Sequence, residues 1–324
     1  MQLLGAAAIE ALLPMSPCID VVAGAMRAIS CGQVLAPLRN VMALQSPNAM
    51  GIMPGAMPAH GCFGVKVLAL YPGNGAKGLP SHAGMVLLFD SASGAPVAVL
   101  ESNSLTALRT AAASAVATRA LARPGSSVLA LLGTGHQALW HVRAMREVMP
   151  LRRLQLWNHR RDGAQQLMAQ LGELGAIEVA VADSPQEALE GADVVCTVSA
   201  AREPILHGAW LSPGQHVNLV GASVASAREA DDEVVRRSRY FVDARASAAV
   251  QAGEWLHAIA AGVVPHEHLL GEIGEVLLGD IAGRIHKDDI TVYKSLGHTA
   301  QDLATADTIL RMARASGQYP ELPW

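Results

Sequence analysis

A short glycine-rich segment constrains the fold of this chain more than any other feature. It reads Gly133-Thr134-Gly135-His136-Gln137-Ala138 and directly follows the apolar run Val128–Leu132. In a Gly-x-Gly-x-x-Ala turn between a strand and a helix, the first glycine permits a tight turn and the second lets backbone approach a pyrophosphate. The alanine lets the helix pack closely on the strand. The segment therefore predicts a dinucleotide-binding turn; the alternative is a glycine turn that binds nothing.

Strand and helix patterns alternate after this turn. Helices are predicted over Gln137–Met149 and Asp162–Leu174, and Ser184 and Glu187 have the spacing of a capping box. The acids at 231–233 indicate the charged first turn of another helix. The apolar runs typical of short buried strands are Val128–Leu132, Leu154–Asn158, Ile177–Val181, Val194–Val198, Val217–Val220 and Phe241–Val242. Alternation of this kind is typical of a parallel, doubly wound sheet, so we expect a Rossmann-type α/β domain over residues 124–298.

The first third of the chain has a different pattern. A helix is predicted from its N-cap Ser16 to Gly32, and a Thr/Ala-rich helix over Ser104–Leu121. Between them, short apolar runs such as Gly64–Leu70 and Met85–Phe89 are separated by Gly, Pro and Asn clusters. This arrangement indicates a β-rich region of antiparallel hairpins.

Length and composition agree with two domains. A chain of 324 residues exceeds one ordinary domain, and the turn residues Arg123–Ser127 mark the boundary. A closing helix is predicted from about Thr299 to Ala315, with one apolar face made of Leu303, Ala306, Leu310 and Ala313. Hydrophobic residues make up 51% of the chain and charged residues only 16%, which excludes a disordered protein and indicates apolar surface covered in an oligomer.

Charge and residue spacing exclude several kinds of partner. The net charge of −4 offers no basic field for phosphate backbones or anionic lipid, so neither nucleic acid nor a membrane is an expected partner. No apolar run approaches the roughly 20 residues that cross a bilayer, and we expect a cytoplasmic protein. The four cysteines and twelve histidines lack Cys-x-x-Cys and His-x-x-x-His spacing, so no metal site is expected.

The end of the second predicted strand bears on cofactor selectivity. An NAD-preferring site carries an acid there to hold the ribose hydroxyls, but this chain has Asn158 followed by Arg160 and Arg161. We therefore favour NADPH, with NADH possible, because guanidinium groups stand where a 2′-phosphate would lie. The alternative is that both arginines only solvate the start of a helix.

Three cations in the first domain stand in apolar surroundings. They are Arg39 after a proline, Lys66 inside an apolar strand, and Arg109 within an alanine-rich helix. Buried cations need a counter-charge, and a small carboxylate substrate would supply one, with an arginine binding it in bidentate fashion. The alternative is that each cation pairs with an acid of the protein such as Asp90 or Glu101.

Several segments, in chain order, resemble the ornithine cyclodeaminase and mu-crystallin family. Together with the glycine-rich turn they cover nearly the whole chain. They are Pro37-Leu38-Arg39, Lys66 ahead of Pro72-Gly73-Asn74 and Gly78-Leu79-Pro80, Leu105–Ser114, Val220-Gly221-Ala222-Ser223, and Tyr293-Lys294-Ser295-Leu296-Gly297 followed by Asp302.

The resemblance implies a homodimer of two-domain subunits. It implies that a β-rich domain, residues 1–123 completed by the carboxy-terminal helix at 299–324, binds substrate and dimerises, while a Rossmann domain presents a nicotinamide cofactor. Arg39, Lys66 and Arg109 match the positions that grip the substrate carboxylate. The positions expected to bind the cofactor are Thr110, Gly133, Thr134, Gly135, His136, Gln137, Ala138, Asn158, Arg160 and Ser223.

Ser223 distinguishes branches of this family. Cyclodeaminases and the related alanine dehydrogenases carry an aspartate two residues after the glycine that matches Gly221, whereas the sequence here is similar to the ketimine reductase branch. That branch implies NAD(P)H-dependent reduction of a cyclic imine carboxylate, Δ1-pyrroline-2-carboxylate or Δ1-piperideine-2-carboxylate, to proline or pipecolate. The alternatives are ornithine cyclodeaminase and a non-catalytic, NADP-dependent binding protein of mu-crystallin type.

Reduction of a preformed cyclic imine needs few catalytic side chains. Orientation and charge balance supply most of the acceleration, and a proton donor to nitrogen adds to them. Lys66 is one candidate donor, because desolvation lowers the pKa of a lysine. His82 is the other, and its alternative is a loop histidine with an ordinary hydrogen bond.

Overall fold

The computed structural model describes residues 1–171 and 177–323, which form two compact units. One unit comprises Met1–Arg109 together with His298 and the residues after it, and the other comprises Thr110–Gly297. The first break falls between Arg109 and Thr110, whereas the turn residues of the sequence predict it at 123/124.

The secondary-structure elements are numbered in chain order. The helices are α1 (Ala6–Leu12), α2 (Met15–Ser30), α3 (Ser102–Leu121), α4 (His136–Val148), α5 (Arg161–Leu171), α6 (Pro185–Ala188), α7 (Asp232–Arg237), α8 (Arg245–Gln251), α9 (Gly253–Ala260), α10 (Ile273–Leu278) and α11 (Thr299–Ser316). The strands are β1 (Gln2–Leu4), β2 (Asn40–Ala43), β3 (Ala49–Met57), β4 (Cys62–Leu70), β5 (His82–Asp90), β6 (Pro96–Glu101), β7 (Val128–Leu132), β8 (Arg153–Trp157), β9 (Glu178–Val181), β10 (Val194–Thr197), β11 (His216–Leu219), β12 (Ser238–Val242), β13 (Leu269–Glu272) and β14 (Ile290–Lys294).

The first unit contains a sheet with the strand order β1-β6-β5-β4-β3-β2. The strands from β2 to β6 pair antiparallel, which confirms the predicted hairpins, and β1 adds a parallel edge that the sequence patterns do not predict. Helix α11 packs on α2 and on β3, β4 and β5. The contact is close at Gly64, where an added Cβ would lie 2.9 Å from Leu303 Cδ2. Glycine therefore lets helix and sheet approach.

Two helix predictions for this unit need correction. Helix α2 begins at Met15 with Pro14 as its N-cap, so Ser16 lies inside the first turn and does not cap it. The fixed φ of proline, here −59°, suits a helix start without a side-chain acceptor. Helix α11 is buried around most of its first turns rather than on a single apolar face, because both α2 and the sheet contact it.

The second unit contains a parallel sheet with the order β13-β12-β14-β11-β10-β7-β8-β9. Numbered in chain order within the sheet and read from β9, the order is 3-2-1-4-5-8-6-7. The first five strands have the doubly wound order, so the predicted Rossmann-type fold is confirmed, and β14 inserts between β11 and β12. The patterns miss β13 and β14, although β14 is fully buried between β11 and β12. Residues 172–174 of the helix predicted over Asp162–Leu174 lie outside the described residues.

Local capping in this unit follows the sequence. The side chain of Ser184 accepts from Glu187 N, as the capping-box spacing predicts. Asp231 caps α7 by accepting from Val234 N, so the acids at 231–233 form a charged helix start, as predicted. Within the described ranges, no single helix has the length and apolar composition to cross a bilayer; α1 and α2 pass that test only as a pair bent by 90°.

Candidate active site

Two of the three predicted substrate-binding cations meet at one carboxylate in the first unit. Lys66 Nζ lies 3.1 Å from Oδ1 of Asp302, and Arg109 Nε lies 2.9 Å from the same oxygen. Arg109 also donates from Nη1 to Gln301 Oε1 at 3.1 Å. Lys66 is 1% exposed, Arg109 5% and Asp302 0%, so this cluster is almost entirely removed from solvent.

The fold explains why these side chains converge. Lys66 pairs with Val86 across β4 and β5, and both lie on the sheet face that packs against α11. Helix α11 opens with a capping box formed by His298 and Gln301. Asp302 therefore lies in the first helical turn, where the helix dipole favours a negative charge.

The cluster holds more positive than negative charge. Burial lowers the pKa of Lys66 to about 8; Asp302 opposes this shift, whereas Arg109 and Arg39 add to it. Burial alone would raise the pKa of Asp302, but the charges and hydrogen bonds of Arg109 and Lys66 outweigh it, so the pKa lies below its ordinary value. Two cations thus share one ionised carboxylate, and Arg39 is near enough to act on Lys66.

Asp90 and Glu101, the acids named in the sequence analysis as possible partners of the cations, bind backbone N–H groups instead. Asp90 accepts from the backbone N of Ala92 and Ser93 in a turn, and Glu101 accepts from Ser104 N at the start of α3. The alternative that these cations pair with an acid of the protein is therefore confirmed for Lys66 and Arg109, but the acid is Asp302 rather than Asp90 or Glu101. Asp302 was not among the predicted site residues. Its signal in the sequence is one acid in the first turn of the predicted closing helix, with no other charged residue before Asp307.

His82, the second candidate proton donor, has a different environment. It begins β5, is exposed, and its Nδ1 lies 3.0 Å from Ser81 Oγ, while its carbonyl oxygen accepts from Asn103 Nδ2 at 2.9 Å. His82 is four residues from Val86, the strand partner of Lys66. At about 3.3 Å per residue, the two candidate donors are about 13 Å apart along the strands.

The glycine-rich turn of the second unit has the geometry of a phosphate cradle. Gly133 adopts φ 107°, and a Cβ there would lie 2.9 Å from the backbone of Val198 and Ser199. An added Cβ at Gly135 would meet no atom within 4 Å among the described residues, so space remains next to this backbone. His136 and Gln137 form the first turn of α4, and Ala138 is fully buried. These residues fit a dinucleotide pyrophosphate at the start of α4.

The loop after β8 lies against this turn. An added Cβ at Gly163 would lie 2.7 Å from both Asn158 Nδ2 and Thr134 Oγ1, so the two loops are neighbours. Arg161 forms an ion pair with Asp183, whereas the exposed Arg160 has no ion pair within residues 1–171 and 177–323. Of the two arginines, Arg160 is thus the one with a guanidinium available to a ligand.

The remaining predicted cofactor residues lie at two other places in this unit. Thr110 is 6% exposed on α3, and Ser223 is partly buried in the loop after β11. In that loop, Gly221 N donates to Glu229 at 2.6 Å and Ala222 N at 3.3 Å. Glu229 is a further residue that the sequence patterns do not identify, because its partners are backbone N–H groups and hydroxyl groups that only the fold brings to it. In the described part of the chain, no three His, Cys, Asp or Glu side chains cluster as metal ligands would.

Known proteins are similar to this chain in sequence and in fold. A ketimine reductase mu-crystallin of Mus musculus is 38% identical over 279 residues, covering 86% of this chain and 85% of that protein. The solved Delta(1)-pyrroline-2-carboxylate reductase of Thermococcus litoralis, in complex with NADH and L-proline, matches with a TM-score of 0.96 and 32% identity over 99% of this chain and 100% of that chain. An archaeal alanine dehydrogenase dimer with bound NAD matches with a TM-score of 0.93 and 28% identity over 100% and 99%.

The predicted family is confirmed over almost the full length. Residues 1–317 match the sequence profile of the ornithine cyclodeaminase/mu-crystallin family. The chain therefore belongs to the ornithine cyclodeaminase/mu-crystallin family.

Proposed function

We propose that this protein is an NAD(P)H-dependent reductase of small cyclic ketimine carboxylates. It is an oxidoreductase acting on C=N bonds, and its substrate is Δ1-pyrroline-2-carboxylate or Δ1-piperideine-2-carboxylate, reduced to proline or pipecolate. The similarity to a ketimine reductase and to a pyrroline-carboxylate reductase supports this proposal.

The observation that carries the proposal is the charge imbalance around Asp302. Lys66 and Arg109 share its Oδ1, and Oδ2 has no hydrogen-bond partner within the described residues. A substrate carboxylate would neutralise the excess positive charge, with the guanidinium of Arg109 and the nearby Arg39 as its partners. An imine without a carboxylate would leave the excess positive charge in place, so the site favours a ring that carries a carboxylate.

The residues of this chain then supply orientation and a proton. The reduced nicotinamide, when bound, supplies the hydride that adds to the imine carbon. Lys66, which is protonated at neutral pH because its pKa is about 8, donates a proton to the ring nitrogen. Hydride plus proton convert the C=N bond to CH–NH, which balances the reaction. Ser223 has no carboxylate to act as base, so ornithine deamination lacks a proton acceptor at this position.

Two features support NADPH as a cofactor and a homodimer as the assembly. Arg160 follows the second strand of the Rossmann-type sheet, where the 2′-phosphate would lie, and no acid precedes it there. The edge strand β2 is exposed along its whole length and carries Val41 and Met42, which are 53% and 46% exposed. A second copy of the chain would cover this edge, since exposed apolar edge strands are otherwise prone to aggregate.

A substrate panel tests the proposal directly. The loss of NADPH or NADH absorbance is followed with each cyclic imine, and ammonia release is followed with ornithine and the oxidised cofactor. Imine reduction well above ornithine deamination is expected. Ammonia release as fast as imine reduction would establish the cyclodeaminase instead, and tight cofactor binding without turnover of any imine would establish a binding protein.

A further inference from the structure

Glu229 carries a fully buried carboxylate that joins two loops at the carboxyl edge of the parallel sheet. In the loop after β10, Ser199 N and Oγ donate to Oε1 at 2.8 Å and 2.6 Å. In the loop after β11, Gly221 N and Ala222 N donate to Oε2. Thr197 Oγ1, at the end of β10, donates to the same oxygen at 2.7 Å. Three of these donors are backbone N–H groups, which cannot accept, so the arrangement fits an ionised carboxylate.

The two loops belong to the second half of the doubly wound sheet. The first half, β7 to β9, carries the glycine-rich turn and the strand end that faces the adenosine ribose. The second half, which includes β10 and β11, is then left for the nicotinamide half of the dinucleotide. Ser199 lies between them, because its backbone N would be 2.9 Å from a Cβ at Gly133 and its side chain binds Glu229.

The packing around Gly221 is tight. An added Cβ at Gly221 would overlap the carbonyl oxygen of Ser199 and the carboxylate of Glu229. The loop after β11 is thus held against Glu229 on one side, and Ser223 follows only two residues later. The position of Ser223 depends on how this carboxylate holds Gly221 and Ala222.

A buried ion pair, Glu254 and Lys294, lies next to the backbone of Glu229. The backbone N of Glu229 donates to Glu254 Oε1 at 3.0 Å, and Lys294 on β14 pairs with Glu254 at 2.9 Å. Glu254 and Lys294 therefore neutralise each other. Burial raises the pKa of Glu229 above its ordinary value, and the charge of Lys294 and the hydrogen bonds from Ser199 and Thr197 oppose this rise only in part. The carboxylate is held mainly by hydrogen bonds to the two loops.

We infer that Glu229 is a positioning residue for the nicotinamide half of the cofactor, acting through the loops at Ser199 and at Gly221–Ser223. The inference rests on the proposed function, because it assumes that a nicotinamide dinucleotide binds this edge. Glu229 itself touches neither cofactor nor substrate in this role. Its loss should weaken binding of the nicotinamide end and leave binding of the adenosine end intact.

The Glu229→Gln variant tests this inference, because it keeps the side-chain shape and turns one acceptor oxygen into a donor that opposes a backbone N–H. Calorimetry measures the dissociation constants of NADPH and of 2′-phospho-ADP-ribose, which lacks the nicotinamide ring. We expect NADPH to bind about tenfold more weakly, as for an unsatisfied buried donor, and the fragment to bind within about twofold of wild type.

Asp193→Asn is the matched control. Asp193 accepts from Ser127 N at 2.8 Å and Val128 N at 3.1 Å, at the opposite edge of the same sheet. It should leave the ratio of the two dissociation constants unchanged. If Glu229→Gln does not fold, Thr197→Val removes one donor to Glu229 from a fully buried position, and a smaller weakening confined to NADPH is expected.

Three outcomes contradict the inference. The first is an unchanged dissociation constant for NADPH in Glu229→Gln, or in Thr197→Val if only that variant folds. The second is equally weakened binding of NADPH and of 2′-phospho-ADP-ribose. The third is a selective loss of NADPH binding in Asp193→Asn as well. If one of these outcomes is found and the wild-type protein still reduces cyclic imines, the inference about Glu229 is wrong and the proposed function stands. If the wild-type protein binds neither NADPH nor NADH, both the inference and the proposed function are wrong.

Discussion

Lys66 and Asp302 are 236 positions apart in the sequence, yet Nζ of the lysine lies 3.1 Å from Oδ1 of the aspartate. Arg109 binds the same oxygen at 2.9 Å, so the lysine shares its counter-charge with a guanidinium. This shared carboxylate keeps two buried cations charged without fully neutralising them. The proposed carboxylate-bearing substrate would supply the missing negative charge.

Reduction should slow above about pH 8. Burial lowers the pKa of Lys66 to about 8, so the ammonium proton is lost as the pH rises through that value. If Lys66 donates the proton, kcat/KM falls about tenfold per pH unit beyond it. The pH profile of kcat/KM measures this, after correction for the ionisation of the imine itself. This decrease of kcat/KM at high pH is the alkaline limb of the profile. The residual activity of Lys66→Met should lack it. If the limb is the same in Lys66→Met as in the wild type, another group donates the proton.

Asp302→Asn should move the alkaline limb to lower pH. The aspartate raises the pKa of Lys66 against burial, so its removal lowers that pKa further, by about one unit or more. Asp307→Asn is the control, because Asp307 lies on the same helix but pairs with His60 and Arg311. Its limb should stay in place. An unshifted limb in Asp302→Asn would contradict the coupling of Lys66 to this acid.

Arg109→Ala should reduce kcat/KM for a carboxylate-bearing imine at least about tenfold, because a lost charged contact costs roughly 1.5–3 kcal/mol. Lys66 still pairs with Asp302 in this variant, so the aspartate keeps a counter-charge. Arg109→Lys retains the charge without the planar fork and should fall between wild type and Arg109→Ala. The cofactor dissociation constant should not change. A loss of less than about tenfold would indicate a structural ion pair only.

Arg160→Ala should reduce kcat/KM with NADPH by more than about threefold while changing kcat/KM with NADH little, because a guanidinium binds a 2′-phosphate that NADH lacks. Arg161→Ala provides the comparison, since Arg161 pairs with Asp183 and should affect both cofactors equally. The ratio of specificity constants for the two cofactors is the measurement. The same ratio in Arg160→Ala as in wild type would exclude the phosphate contact.

Acid should destabilise the second unit through two buried histidines. His141 donates from Nδ1 to Gln137 O and accepts at Nε2 from Ser114 Oγ, and burial lowers its pKa to about 4. Burial also lowers the pKa of His216 to about 3. Below about pH 6.5 the unfolded chain takes up protons that the folded chain does not. The free energy of unfolding therefore falls by about 1.4 kcal/mol for each unit by which the pH is lowered, for each histidine.

Urea unfolding between pH 4 and 7 measures this slope. The variant His141→Asn should remove one histidine's share of it, whereas replacing the exposed His159 should leave the slope as it is in wild type. A slope that His141→Asn does not reduce would mean that His141 takes up its proton in the folded state.

The sequence by itself determined the local features of this protein. The glycine turn, the alternation of strands and helices, and the helix starts at Ser184 and Asp231 depend on residues within a few positions of one another. Such features are visible because backbone conformation and capping are local. The cations Arg39, Lys66 and Arg109 were also identifiable, since a charge in an apolar pattern needs a partner.

Only the tertiary structure decided which partners those residues have. Asp302 meets Lys66 because α11 returns to the first sheet, and the central strand β14 depends on pairing with β11 and β12 rather than on its own short pattern. Glu229 accepts hydrogen bonds mostly from backbone N–H groups of two separate loops, and every residue except proline has such a group, so the sequence does not mark these partners. The physical reason is that long-range pairing is set by how whole elements pack, so one sequence position has many possible partners until the fold selects one.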